Sequence, residues 1–157
     1  MDIIKSDLFK KMVLEVLDES FDHVHGIYLD KDTSLFETLS YITVEQASVP
    51  VGGQCATLAA QVSHVAFYLE QAIQYAQNAN PSPVDWRVIW RTVSNVTIEE
   101  WLEIQQNLRN SYNHLLEVIN DISDWDNEKS LGLALASIAH TAYHLGEIRQ
   151  ALCVLKS

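Results

Sequence analysis

Apolar side chains recur every three or four positions through most of this 157-residue chain, whereas the alternation that strands need is rare. This spacing puts the apolar residues along one side of a helix, so the helices must bury those sides against one another. Only five glycines and three prolines are available to interrupt the pattern. The sequence therefore predicts an all-α fold with four long helices, over residues 6–28, 57–78, 97–122 and 131–155.

Local signals mark the ends of the predicted helices. The stretch VPVGGQ breaks the pattern before the second helix, and NANPSP follows it. Thr97 and Glu100 form a capping box, in which a hydroxyl and a carboxylate bind otherwise unpaired backbone N–H groups where helix three begins. We expect one domain, residues 1–157, that folds as a four-helix bundle with long connectors between helices 1 and 2 and between helices 2 and 3. The short link SDWDNEKS predicts that helices three and four are antiparallel neighbours.

The charge of the chain bears on its partners. Acidic residues outnumber basic ones by 21 to 10, which gives a formal net charge of -11. Nucleic acids and anionic membranes are bound largely through Lys and Arg, so we expect neither as a partner. No apolar run approaches the roughly 20 residues of a membrane span, and MDIIKSDLFKK lacks the apolar core of a signal peptide, so a cytoplasmic protein is expected. Two cysteines without CxxC spacing predict free, reduced thiols.

A pair of histidines stands out in the predicted last helix. His140 and His144 are four residues apart, so their side chains point the same way and two imidazoles can hold one cation. The same side of the helix carries apolar residues, which predicts that it is buried or lines a cleft. Adjacent imidazoles are costly to bury without partners, and a divalent metal would remove that cost. Packing in the core stays open as an alternative, because this spacing also arises by chance.

A metal site needs at least one more protein ligand, and His64 in the predicted second helix is the best remaining histidine. A single histidine in such a position can equally be a hydrogen-bonded or half-exposed side chain. His23 is a candidate for a contact behind the ligands, because it lies at the edge of the apolar side of helix one. His25 and His114 share faces with charged or amide residues, so we expect both in solvent.

Glu147 lies one turn after His144 and close to the same side of the helix. It can bind the metal, orient a ligand imidazole or act as a general base. Alternatively, it pairs with Arg149 or Lys156 at the end of the helix. The chain has no HExxH motif, because Thr141 stands where that motif has its glutamate, and a zincin-type protease is therefore not expected.

Two stretches of the chain match a known pattern. TLAAQVSHVAFYLE contains His64, and AHTAYHLGEIRQ contains His140 and His144 followed by LGEI. In this order and spacing they resemble the DinB/YfiT-like superfamily of metal-dependent enzymes, in which a histidine of helix two joins an HxxxH pair on the last helix of a four-helix bundle. The resemblance covers nearly the whole chain. One departure is Glu147, since the superfamily commonly has glutamine there.

The resemblance implies a three-histidine site, formed by His64, His140 and His144, for a divalent cation such as Ni, Zn or Fe. It also implies a small-molecule substrate and a homodimer. Related groups include thiol S-transferases that use low-molecular-weight thiols and a thiol-dependent isomerase, so we expect thiol transfer or hydrolysis. The superfamily is named for damage-induced expression, which links it to stress responses. Three aromatic residues are further candidates for lining the pocket: Tyr68, Trp90 and Tyr143.

Two other functions fit the same residues. The chain can be a non-catalytic helical dimer that binds a metal or a small ligand, with the site serving structure or sensing. It can also be a purely structural dimer whose histidine site is degenerate. The sequence assigns no catalytic residue, and Glu147 is the one candidate for that role.

Overall fold

The computed structural model describes residues 5–53, 55–77 and 82–155. Within these ranges the chain forms seven α-helices and no strand, which confirms the predicted all-α class. A 3₁₀ turn, Val51–Gly53, stands before the fourth helix. The helices are α1 (Ser6–Phe21), α2 (Leu35–Leu39), α3 (Val44–Ser48), α4 (Leu58–Gln77), α5 (Val88–Thr92), α6 (Ile98–Asp121) and α7 (Glu128–Leu155).

The four long helices α1, α4, α6 and α7 enclose the core. Helix α4 packs against both α6 and α7, and α1 also packs against both. Helices α6 and α7 make few contacts with each other, so the prediction that helices three and four are neighbours is wrong. The link between them packs on α1, where the rings of Trp125 and Phe9 meet edge to face with centroids 5.2 Å apart. Helix α1 therefore lies between α6 and α7 at this end.

The first helix ends at Phe21, well before the predicted end at residue 28. Glu19 accounts for the difference. Its fully buried carboxylate accepts hydrogen bonds of 2.6 to 2.9 Å from four backbone N–H groups, those of His25, Ile27, Tyr28 and Leu29. Gly26, inside this turn, has a left-handed backbone with φ of 80°, which glycine adopts without strain. The carboxylate thus satisfies donors that a continuing helix would have used.

The start of α4 and both ends of α6 agree with the sequence. The Ala60 N–H donates to the Thr57 hydroxyl at 3.1 Å, which caps the start of α4. The predicted end of that helix at residue 78 lies outside the described residues. At the start of α6, the Glu100 N–H donates to Thr97 Oγ1 at 3.2 Å and the Thr97 N–H donates to Glu100 Oε2 at 2.7 Å. The predicted capping box is therefore confirmed.

Helix α7 begins at Glu128, before the predicted start at residue 131. The Ser130 N–H donates to the Asn127 side-chain oxygen at 2.9 Å, so Asn127 caps the helix earlier than the apolar pattern begins. Cys55 and Cys153 are both exposed and form no disulfide, as predicted. None of the helices in the described ranges combines the length and the apolar composition that a bilayer span requires.

Candidate metal centre

Three histidines come together where α4 packs against α7. His64 comes from α4, and His140 and His144 come from successive turns of α7. One ring nitrogen from each lies within 4.8 Å of those of the other two, and the ring centroids are 4.5 to 5.1 Å apart. Nitrogens bound at about 2.1 Å to one ion are at most about 4.2 Å apart, so only a small side-chain movement separates this cluster from ligand geometry.

The histidine cluster is largely buried. His64 and His144 are 7% and 5% exposed, and His140 is half-buried. Among the described residues, no hydrogen-bond partner is available to His64 Nδ1, His140 Nε2 or His144 Nδ1, although all three atoms are buried. Buried polar atoms are nearly always paired in folded proteins. His144 Nδ1 has the Glu147 carboxylate beside it, whereas nothing satisfies His64 Nδ1 or His140 Nε2, and these two unpaired nitrogens fit a shared cation better than packing in the core does.

The environment keeps all three imidazoles neutral at pH 7. Burial lowers the pKa of His64 to about 4, assisted by the His144 ring and opposed by the charge of Glu147. Burial lowers the pKa of His140 to about 3, assisted by the other two rings. Burial also lowers the pKa of His144, and Glu147 opposes this shift. A neutral imidazole has a free lone pair, which is the form that binds a metal.

Glu147 lies beside the cluster but is not part of it. Its Oε2 is 2.9 Å from His144 Nδ1, and the carboxylate acts to raise the pKa of His144 against the effect of burial. Of the roles predicted for Glu147, this contact favours orientation of the His144 ring. The alternative partner Arg149 instead donates to the Thr38 hydroxyl at 3.2 Å. Lys156, the other alternative, lies outside the described residues.

Each of the three aromatic residues predicted to line a pocket contacts one ring of the cluster. The centroid distances are 3.5 Å between Tyr68 and His140, 4.5 Å between Trp90 and His64, and 5.0 Å between Tyr143 and His144. Trp90 comes from the short helix α5, so the connector between α4 and α6 supplies one wall of the site. The phenol of Tyr143 faces Glu147, and this contact raises the pKa of Tyr143.

A cavity of about 730 Å³ adjoins the cluster between α4, residues 82–86 and the first half of α7. Tyr68 belongs to its wall, so the cavity and the cluster share this side chain. Two further aromatic residues that the sequence analysis did not single out, Tyr75 and Trp86, line the same space. The one available signal was the pair of tryptophans in VDWRVIWRTVSN, an unusual content for a connector.

The other described histidines lie outside the cluster. His25 Nε2 is 2.6 Å from Asp18 Oδ2, and His114 Nδ1 is 3.0 Å from Glu70 Oε2. Both side chains are nearly half exposed, in line with the expectation of solvent contact. The prediction that His23 stands behind the ligands is wrong, because α1 ends before this residue and its side chain is 76% exposed beside Asp18.

A second group, Asp18, Asp22 and His23, also has ligand atoms within 4.8 Å of one another. Its charges are already compensated. Asp22 accepts a 2.6 Å bond from Arg109, and Asp18 contacts both His23 and His25. None of its atoms is both buried and unpaired, so this surface group gives no reason to expect an ion.

No protein-family model, curated protein or solved structure matches this chain. The histidine cluster and its surroundings are therefore the features of the chain that bear on its function.

Proposed function

We propose that this chain is a divalent-metal-dependent enzyme that acts on a small molecule by thiol transfer or hydrolysis, with His64, His140 and His144 as metal ligands. The observation that carries the proposal is the approach of three ligand nitrogens to within 4.8 Å of one another. We further propose that the four long helices form the bundle of the DinB/YfiT-like superfamily. One histidine on α4 and a pair four residues apart on α7 agree with the resemblance described above.

The donor set is suited to a catalytic ion. Neutral imidazoles favour Zn, Ni or Fe over Mg or Ca. Three protein ligands leave a coordination position for water or substrate, as in catalytic zinc sites. A bound divalent cation would supply Lewis acidity, which lowers the pKa of a neighbouring water or thiol. Neighbouring side chains of the chain hold the imidazole rings in position. Tyr68 fixes His140 by stacking, and Glu147 contacts His144 on its Nδ1 side.

A non-catalytic metal-binding module is the second candidate. Trp90 and Tyr68 cover the rings of His64 and His140, and enclosed sites are typical of structural metals. A structural ion would raise the Tm strongly without supporting turnover. A homodimer, a low-molecular-weight thiol as co-substrate, a role in stress responses and a cytoplasmic location stay predictions.

Metal content tests the proposal most directly. Purified protein would be incubated with Ni, Zn or Fe(II), desalted and subjected to elemental analysis. We expect about one ion per chain in the wild type and a loss of most of it in His64→Ala, His140→Ala and His144→Ala. His114→Ala is the matched control, because this histidine pairs with Glu70 at the surface. Far-UV circular dichroism would show that the variants keep their helices.

Turnover separates the two candidates. Metal-loaded protein would be assayed with low-molecular-weight thiols and an electrophile, and with ester and amide substrates. Activity that disappears in His144→Ala and persists in His114→Ala would support an enzyme. Metal binding with a higher Tm and no activity would support the structural module. Wild-type protein that takes up none of the three metals would contradict both.

A further inference from the structure

The cavity beside the cluster has the size of a small-molecule site. Its volume of about 730 Å³ falls within the roughly 300 to 1,000 Å³ that is typical of such pockets. Helices α4 and α7 form two walls, and residues 82–86 form a third. The wall shared with the histidine cluster is Tyr68, whose ring is parallel to His140 within 10°. A molecule in the cavity therefore lies one aromatic ring away from His140.

Aromatic rings dominate the chemistry of the wall. Trp86 is held in place by Phe67 and Tyr68, with centroid distances of 6.0 and 5.8 Å, yet 44% of the residue is exposed. Tyr75, about two helical turns after Tyr68 along α4, is 62% exposed. The Trp86 ring, oriented by its neighbours but still open to solvent, offers π surface for stacking, and the exposed Tyr75 adds a second ring to the wall. The apolar side chains Ala72, Val84 and Leu133 fill the space between them.

The charges of the wall are balanced, which favours an uncharged ligand. The described lining residues include one acid and one base, Glu128 and Lys129, which are adjacent in the first turn of α7. The remaining polar groups are neutral, and among them Gln71 and Ser82 can form hydrogen bonds. The chain as a whole carries a net charge of -11, which disfavours polyanions further.

We propose that this cavity binds a flat, uncharged small molecule with an aromatic ring, which stacks between Tyr75 and Trp86 and is separated from His140 by the Tyr68 ring. Binding of the ring depends on the cavity alone and needs no metal. The identification of such a ring compound as the substrate rests on the proposed function. It narrows the small-molecule substrate of the metal site to aromatic, uncharged compounds.

The probe for the experiment is 2-naphthol, with 2-naphthoate and cyclohexanol as charged and non-planar counterparts. ¹H–¹⁵N spectra would follow the indole N–H signals of the chain's four tryptophans, after Trp86→Phe has identified the Trp86 signal. We expect 2-naphthol to shift the Trp86 signal with saturation and to leave those of the buried Trp101 and Trp125 in place. Both counterparts should bind at least about tenfold more weakly.

Gly132→Leu fills the cavity without disturbing the fold. A Cβ placed at Gly132 would have no atom within 4 Å, and leucine has a higher helix propensity than glycine. The matched control is Gly146→Leu, because Gly146 is also in α7 with nothing within 4 Å but lines a different depression, next to Leu29. We expect Gly132→Leu to weaken 2-naphthol binding at least about tenfold and Gly146→Leu to change it less than about twofold.

A second pair of variants tests the stacking. Tyr75 and Tyr41 are both 62% exposed, but only Tyr75 lines the cavity. Tyr75→Ala should weaken 2-naphthol binding about fivefold, whereas Tyr41→Ala should leave it unchanged. No saturable shift of Trp86, or equal binding by Gly132→Leu and Gly146→Leu, overturns the proposal.

Metal dependence distinguishes this inference from the proposed function. Saturable binding at Trp86 in protein that takes up no metal supports the cavity and contradicts the metalloenzyme. Metal uptake without 2-naphthol binding contradicts the cavity proposal and leaves the metal centre supported. In protein loaded with paramagnetic Co²⁺, the proton signals of bound 2-naphthol should broaden more than in Zn²⁺-loaded protein. Equal line widths in the two samples overturn the placement of the ring across Tyr68 from His140.

Discussion

Tyr68 stacks face to face on His140, with ring centroids 3.5 Å apart and planes within 10° of parallel. Burial raises the pKa of the Tyr68 phenol, so the side chain is neutral at physiological pH. The same residue lines the 730 Å³ cavity. The Tyr68 ring therefore holds His140, a candidate metal ligand, in position and also forms part of the cavity wall.

Substitution of Tyr68 should affect metal affinity through the stack. Tyr68→Leu removes the ring that orients His140, and we expect the affinity for Zn to fall about fivefold. Tyr68→Phe keeps the ring and should stay within about twofold of the wild type. Competition with a chromophoric chelator measures both. Equal losses in the two variants would assign the effect to the hydroxyl instead of the stack.

Replacement of Glu147 tests whether its contact with His144 increases the metal affinity of the cluster. Glu147→Gln removes the charge 2.9 Å from His144 Nδ1, and we expect metal affinity to fall about tenfold, as for other carboxylates behind a ligand histidine. Glu70→Gln is the control, because Glu70 makes a similar 3.0 Å contact with His114 at the surface. An unchanged affinity in Glu147→Gln would show that the carboxylate does not orient the ring.

The metal-free protein should lose stability as the pH falls below about 6.5. His64 and His140 have pKa values of about 4 and about 3 in the fold, against 6.5 for ordinary histidine. Between these values the unfolded chain binds more protons than the folded one, so the free energy of unfolding decreases with decreasing pH. Urea unfolding at pH 7.5 and 5.5 measures the difference. His140→Phe, which keeps a ring, should show a smaller decrease than the wild type, and an equal decrease would contradict the assignment.

Glu19 should stabilise the turn after α1 in a pH-dependent way. Burial acts to raise its pKa, but the four backbone N–H bonds together outweigh burial and lower it to about 2. The stabilisation is therefore complete above the unfolded value of 4.5 and is lost as the pH falls towards 2.

The variant Glu19→Gln tests this role of the carboxylate. We expect it to reduce the free energy of unfolding at pH 7 by about 2 kcal/mol, because the charged acceptor of four backbone N–H groups is lost. Urea unfolding would measure the change. The exposed α6 variant Glu103→Gln should change it by less than about 0.5 kcal/mol. Equal effects of the two substitutions would contradict the structural role of Glu19.

The parts of the fold that depend on local chemistry could be predicted from the sequence. The start of α6 follows from Thr97 and Glu100, which are three residues apart and satisfy each other's backbone. The end of α1 could not be predicted, because Glu19 captures N–H groups up to ten residues ahead, at Leu29. The short link between α6 and α7 likewise led to the wrong prediction that these helices are neighbours. Its length carries no information about the packing of Trp125 on α1.

The same distinction applies to the site. The proximity of His140 and His144 follows from the pitch of a helix. The approach of His64 depends on how two helices dock, which periodicity does not specify. His64 was a candidate as the best remaining histidine, and the family resemblance supported it. The cavity was not foreseen because its wall joins Tyr75, Trp86 and Gly132, which come from three separate segments.

The division of the cluster between two helices has a mechanical consequence. The spacing between His140 and His144 is fixed by helix α7. The position of the third candidate ligand, His64, depends on where α4 lies. Substitutions at buried positions between α4 and α7, such as Leu69 or Leu133, will therefore shift one donor relative to a fixed pair. The metal affinity of this centre would then report how closely α4 and α7 pack against each other. It can be measured without unfolding the protein.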